Sequence, residues 1–175
     1  MVGNYSSNTI RNIEDAHDKS LSITEKVEPK EIIDLFRKNK GQKVKALKDE
    51  NYATLLNLMN ILIEKGKAIL LGVEDKDKNL LTAAFFIKHP NRFIFLFSGN
   101  SEKGRECKSM FFLIDSFIEK HANSGYLLDF EGSNDKGLTR FYAGFGGRKT
   151  AYYTYLVNRL IFPFNLFYAI YRNNS

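Results

Sequence analysis

Tryptophan is absent from this 175-residue chain, cysteine occurs once, and histidine and proline occur three times each. The lone thiol, Cys107, excludes an internal disulfide framework and fits a reducing compartment, so a cytoplasmic location is expected. His17, His89 and His121 are scattered, and with Cys107 they offer no metal-ligand spacing. No metal is expected. The opening stretch MVGNYSSNTIRNIEDAHDKS holds no apolar segment of the signal-peptide kind, so no leader is expected. No internal repeat or low-complexity tract occurs, and no apolar run is long enough to span a bilayer. The most apolar stretch, RLIFPFNLFYAIYRNNS, is short and interrupted by Pro163, which favours a helix covering the sheet over a membrane anchor.

What is present describes a folded protein. Hydrophobic residues make up 43% and charged residues 26%, the balance of one well-buried globular core. Fifteen Phe and nine Tyr supply the bulk that tryptophan does not. The formal charge of +6 admits two readings. One is an anionic partner such as a nucleotide, a phosphate or tRNA, with DNA not expected. The other is simple solvation, because the lysines are dispersed through KNKGQKVK, EDKDK and EKGRECK.

Residues 1–28 read as a polar N-terminal helical arm. Its one helical segment, NTIRNIEDAHDKS, places Ile10 and Ile13 three apart and has Asn8 or Thr9 as a cap. So few apolar residues cannot form a core, so the arm must pack on something else. Residues 29–175 read as the domain proper. PKEIIDLFRKNKG starts a helix at Pro29, and KDENYATLLNLMNILIEKG carries helical apolar spacing up to a stop at Gly66. Three apolar runs follow, KAILLGVED, NLLTAAFFIKH and RFIFLFSGN, separated by short polar turns. They predict an antiparallel meander whose middle strand, apolar on both faces, is central and covered. SEKGRECKSMFFLIDSFIEKHANSG predicts a long helix, YLLDF a short buried strand, DKGLTRFYAGFG a short helix and RKTAYYTYLVN a closing strand. The fold class is α/β in the broad sense and α+β more narrowly.

Chemistry gathers at two places. SGNSEKGRECKSM lies where the third strand of the meander enters a helix, and unpaired N–H groups at a helix start favour phosphate. Lys103, Arg105 and Lys108 add charge there, and Gly99 and Gly104 permit close backbone approach. A solvated helix start is the alternative reading. In YLLDFEGSNDKGLTRFYAGFGGRK, Asp129 and Glu131 alternate with Leu128 and Phe130, which predicts two acids on one strand face. Such a pair can deprotonate or orient an amine; alternatively Glu131 caps a helix or pairs with Arg140. Tyr142 is a candidate proton donor, or a core or rim residue.

The order of elements and these two segments resemble the GCN5-related N-acetyltransferase (GNAT) fold. There, two helices precede a three-strand meander, and a long helix follows a pyrophosphate loop of the Q/R-x-x-G-x-G/A type. SGNSEKGRECK takes the loop's place, sharing its small and basic character. GNAT sequences typically have an Asn and then a helix reading LYEKLGF; here Asn134 precedes RFYAGFGG, and Tyr142 stands four residues before Gly146. LLDFEGSNDKGLTRFYAGFGG is similar to the corresponding segment of FemAB-like GNAT domains of bacterial proteins, and SSNTIRNIEDAHDKSLSI to the helix leading into their second lobe.

The resemblance implies a GNAT-like mixed, mainly antiparallel central sheet flanked by helices. It also implies transfer of an acyl group from acyl-CoA, chiefly acetyl-CoA, to an amine. Ser98, Gly99, Lys103, Gly104, Arg105, Lys108 and Asn134 would hold the donor, Glu131 with Asp129 would orient or deprotonate the amine, and Tyr142 would be the acid. Two alternatives accompany it. One is a FemAB-like aminoacyl transferase using aminoacyl-tRNA and a peptidoglycan precursor. The other is a catalytically degenerate lobe acting as scaffold. A homodimer, or packing on a preceding lobe, is implied for the arm.

Overall fold

The computed structural model describes residues 4–44, 46–131 and 135–151, with the isolated positions 153, 159, 163 and 168. The chain begins with helix α1 (Ser7–His17), capped by Ser6, whose hydroxyl accepts from the Thr9 N–H at 3.2 Å. The cap thus falls two residues before the expected Asn8. Strand β1 (Ser22–Thr24) follows, an element absent from the sequence reading because three mostly polar residues carry no period-two signal. Helix α2 (Pro29–Lys38) starts at the expected proline, with the Glu28 N–H donating to the Glu31 carboxylate at 2.8 Å. A 3-10 turn (Lys40–Lys43) and helix α3 (Asp49–Glu64) complete the helical half.

Strands β2 (Ala68–Glu74), β3 (Leu80–His89) and β4 (Arg92–Asn100) form the predicted antiparallel meander. The next segment, expected as one helix, is two: α4 (Glu102–Glu106) and α5 (Ser109–Lys120). Lys108 breaks it, in the left-handed region at φ 57°. The first residue of α5 explains the break. Ser109 is fully buried, its Oγ donates to the Gly104 carbonyl at 2.9 Å, and it lies 2.6 Å from Thr82 Oγ1 on β3. Those bonds satisfy the buried Ser109 hydroxyl and tie the start of α5 to both α4 and β3. Strand β5 (Leu127–Asp129) and helix α6 (Lys136–Gly144) close the described fold. The closing strand expected over 148–158 and the segment 159–175 lie outside the described residues, apart from the irregular 148–151 and the isolated positions.

The sheet order is β1-β2-β3-β4-β5, antiparallel except for the parallel β4–β5 pair, so the sheet is mixed and mainly antiparallel as expected. Strand β3 is central, and Leu81 to Phe86 are buried on both faces. Alternation sends Ala84 and Phe86 into a core shared with α1, α5 and α6, and Ala83 and Phe85 into one shared with α2 and α3. Phe86 stacks on Phe117 of α5 with centroids 3.9 Å apart and planes 6° from parallel. The arm is part of this body. β1 pairs with β2 along Ser22↔Glu74 to Thr24↔Gly72, and α1 packs on α5, burying Ile13 and Ala16. Among the described residues no helix is long and apolar enough to cross a membrane.

Candidate functional site

The site originates in a pairing that stops early. β5 accompanies β4 only through Arg92↔Leu127, Phe93↔Leu128 and Ile94↔Asp129. Asp129 then turns the chain: one carboxylate oxygen accepts from the Glu131 N–H at 2.9 Å, and the other accepts from Arg92 at 3.0 Å. Glu131 itself sits at φ 68°, a left-handed conformation costing a non-glycine residue about 1–2 kcal/mol. Beyond Ile94, β4 is paired with β3 alone among the described residues. Its ladder also slips, from Phe85↔Phe97 to Phe86↔Phe95, leaving Leu96 as the extra residue of a β-bulge. The two parallel strands therefore splay, and a cavity of about 910 Å³ opens between β4, the C-terminal end of α2, the α4–α5 junction and α6.

The cavity is lined by residues from both cores, so it runs through the splay from one face of the sheet to the other: Phe36 and Phe97 belong to the α2 side, Phe111, Phe130 and Tyr142 to the α5–α6 side. Lys38, Lys40, Arg105 and Lys108 line it against the two carboxylates of Glu102 and Glu131, so its charge is positive among the described residues. Arg105 reaches the Asn100 carbonyl at 3.3 Å and the Asn39 side chain at 3.5 Å, joining α4 to the end of α2. Gly99 allows that approach: a Cβ there would fall under 3.0 Å from Ile32 O, Leu35 Cβ and Phe36 N.

Tyr142, half-buried on α6, stacks on Phe130 with centroids 4.6 Å apart and planes at 14°, and meets the Phe95 ring at 71°. Burial pushes its phenol above the ordinary tyrosine range and the charge of Asp135 adds to the shift, so it is protonated at neutral pH. Asp135 caps α6; the N–H groups of Leu138 and Gly137 hold its carboxyl low, and the charge of Lys40 acts in the same direction. The far end of α6 is clamped by the N-terminal residues. The Ser6 N–H donates to the Gly144 carbonyl at 2.8 Å, Thr9 fills the space a Gly144 side chain would need, and Gly146 at φ 79° lies against Asn4. Tyr5 meets the Phe145 ring edge-on at 5.4 Å.

The sequence-derived candidates divide. Ser98, Gly104, Arg105, Lys108, Glu131 and Tyr142 line the one cavity. Lys103 is turned to the β2–β3 turn, where its Nζ lies 2.5 Å from the carboxylate of buried Asp75. That ion pair, with N–H groups of Asn79 and Asp77, holds the Asp75 carboxyl well below the usual range. Gly99 faces α2, and Asp129 serves the Arg92 pair and the turn at Glu131. Asp129 and Glu131 do not continue one strand face, because β5 ends between them. Asn134 lies outside the described residues. Lys38, Lys40 and the aromatic lining were missed in the sequence; the KNKGQK run that starts at the last residue of α2 was the signal, and only the Gly99 contact reveals where it points.

No protein-family model matches the sequence, and no curated protein matches it. Solved structures do. The crystal structure of FemX superposes with a TM-score of 0.65 at 11% identity, over 83% of this chain and 55% of FemX. The chain thus spans about half of that protein's length. An acetyltransferase from Streptococcus agalactiae gives 0.56 at 15% identity over 83% of this chain and 93% of its own. A predicted acetyltransferase from Clostridium acetobutylicum, solved with acetyl-CoA, gives 0.55 at 14% identity, over 78% and 96%. The chain has the GNAT fold.

Proposed function

We propose that the protein is an N-acyltransferase that moves an acyl group from acyl-CoA to an amine, using the cavity at the β4–β5 splay. One observation carries the reading. The free side of β4, a positively charged wall and a protonated tyrosine meet in one cleft, and acyl transfer from a phosphate-bearing thioester needs all three. Lys38, Lys40, Arg105 and Lys108 would attract the phosphates, and the first N–H groups of α5 would bind them. The unpaired side of β4 would receive an extended, amide-bearing chain as an added strand does. The bulge frees backbone polar groups at Leu96 from the ladder, and an N–H there would polarise the thioester carbonyl. Glu131 would take the proton lost by the attacking amine as the C–N bond forms. Tyr142 would give its proton to the sulfur as the C–S bond breaks, so amide and thiol leave with the protons balanced.

The cytoplasm, as the reducing compartment that one free cysteine fits, is the proposed location. Titration calorimetry of the full chain with CoA and acetyl-CoA tests the reading. Micromolar binding is expected, with Tyr142→Phe leaving it within about twofold while turnover falls by about 100-fold. Absence of binding heat would sink the donor assignment, and binding with unchanged Tyr142→Phe turnover would remove the tyrosine from its role. The same positive wall suits an RNA phosphate chain; a steep salt dependence for charged tRNA, with none for CoA, would transfer the reading to an aminoacyl-tRNA donor.

A further inference from the structure

We infer that the acyl group carried by the donor is a bulky apolar one, longer than acetyl; this rests on the acyltransferase reading above. The lining of the cavity is segregated. Its cations lie around the end of α2 and the α4–α5 junction, beside the last residues of β4. The stretch between Tyr142 and the Leu96 bulge, where the reacting carbonyl would lie, is bounded by a continuous aromatic wall. Phe130 stacks on Tyr142, and Phe95 stands at 64° and 71° to those two rings. Phe141 meets Tyr142 at 63° and Phe111 at 74° with centroids 4.9 Å apart, while Leu138 lines the same side. Phe111, Phe130, Phe141 and Tyr142 are only half-buried, although they touch the main core.

Aromatic faces left partly open inside a cleft mark the place of an apolar ligand. An acetyl methyl is too small to cover those four rings, whereas a chain of roughly four to eight carbons removes their faces from water. The aromatic surface is not needed by the other half of the reaction, because the attacking amine requires a carboxylate, and Glu131 is the one beside Phe130. A polar donor group, such as a charged amino acid, would leave its own hydrogen-bonding groups unmatched against this wall.

The experiment is a chain-length series on the full chain: CoA, acetyl-, butyryl-, hexanoyl- and octanoyl-CoA by calorimetry, and the same acyl groups on pantetheine, which lacks the nucleotide phosphates, by NMR titration. Affinity is expected to rise about fourfold per methylene from acetyl to hexanoyl in both series. Leu138→Trp, which fills the aromatic end, should abolish the rise. Phe111→Ala, which widens it, should move the optimum to longer chains. Equal binding of CoA and every acyl-CoA would overturn the inference while leaving the donor assignment intact. If no CoA ligand binds yet the acyl-pantetheines show the rise, the apolar pocket stands and the CoA assignment falls. A rise seen with alkylamines and not with acyl donors would overturn the inference by giving the wall to the acceptor.

Discussion

The two ends of strand β4 follow opposite rules. Its first three residues lie between β3 and β5, Phe93 is buried, and Arg92 is ion-paired to Asp129 across the parallel ladder. Its later residues have β3 on one side and the cavity on the other, a bulge at Leu96, and Gly99 pressed against α2. One strand thus shows what packing and function each ask of the same sequence. Where both sides of a strand are satisfied the residues stabilise the sheet; where one side is left open they line the cavity, and α2 and α5 take over the packing.

The largest test of that contrast lies under the paired half. Phe117→Ala removes the ring stacked on Phe86 and touching Phe93, and should cost about 3–5 kcal/mol in a denaturant melt. A loss under 1 kcal/mol would mean that the α5-side core is not what supports the sheet. At the open half, Gly99→Ala forces α2 backbone away from β4, and about 1–3 kcal/mol is expected. Lys38 and Lys40 follow the end of α2, so CoA affinity should fall severalfold with it; unchanged affinity in a destabilised variant would detach those lysines from binding. The smallest effect belongs to Asp129→Asn. The Arg92–Asp129 pair is partly solvated, with side chains 42% and 29% exposed, so under about 1 kcal/mol should be lost. CoA affinity should stay within twofold; a tenfold loss would give Asp129 a direct role in the site.

How much was legible in the sequence follows the same division. The meander and α2, α3 and α6 were readable because packing writes itself as periodicity, as in LLTAAFF with both faces of β3 buried. The GNAT arrangement was likewise readable from element order. β1 was not, because Ser22, Ile23 and Thr24 pair at an edge where burial asks little of side chains. Nor was the break at Lys108, since a lysine in the left-handed region leaves no mark in composition and its cause, buried Ser109 against Thr82, joins distant positions. Of the candidates, Glu131, Tyr142, Arg105 and Lys108 line the cavity, and they were singled out because a strand end and a helix start announce themselves. Lys103 has the same chemistry and the same neighbourhood in sequence, yet an ion pair with Asp75 turns it to the β2–β3 turn. Lys38 and Lys40 look like solvating charges until α2 is laid on Gly99.

The clamp between Ser6 and Gly144 places a constraint on time as well as space. The five described strands all precede residue 130, so a nascent chain can pair them while α6 is still being made. The tyrosine at the cavity wall comes under control only when nearly the last described helix finds the first. That closure joins the two ends of the described chain, the kind of non-local contact that forms late. The described sheet is therefore encoded ahead of α6, and the cavity wall that carries Tyr142 is set by the contact between α1 and α6.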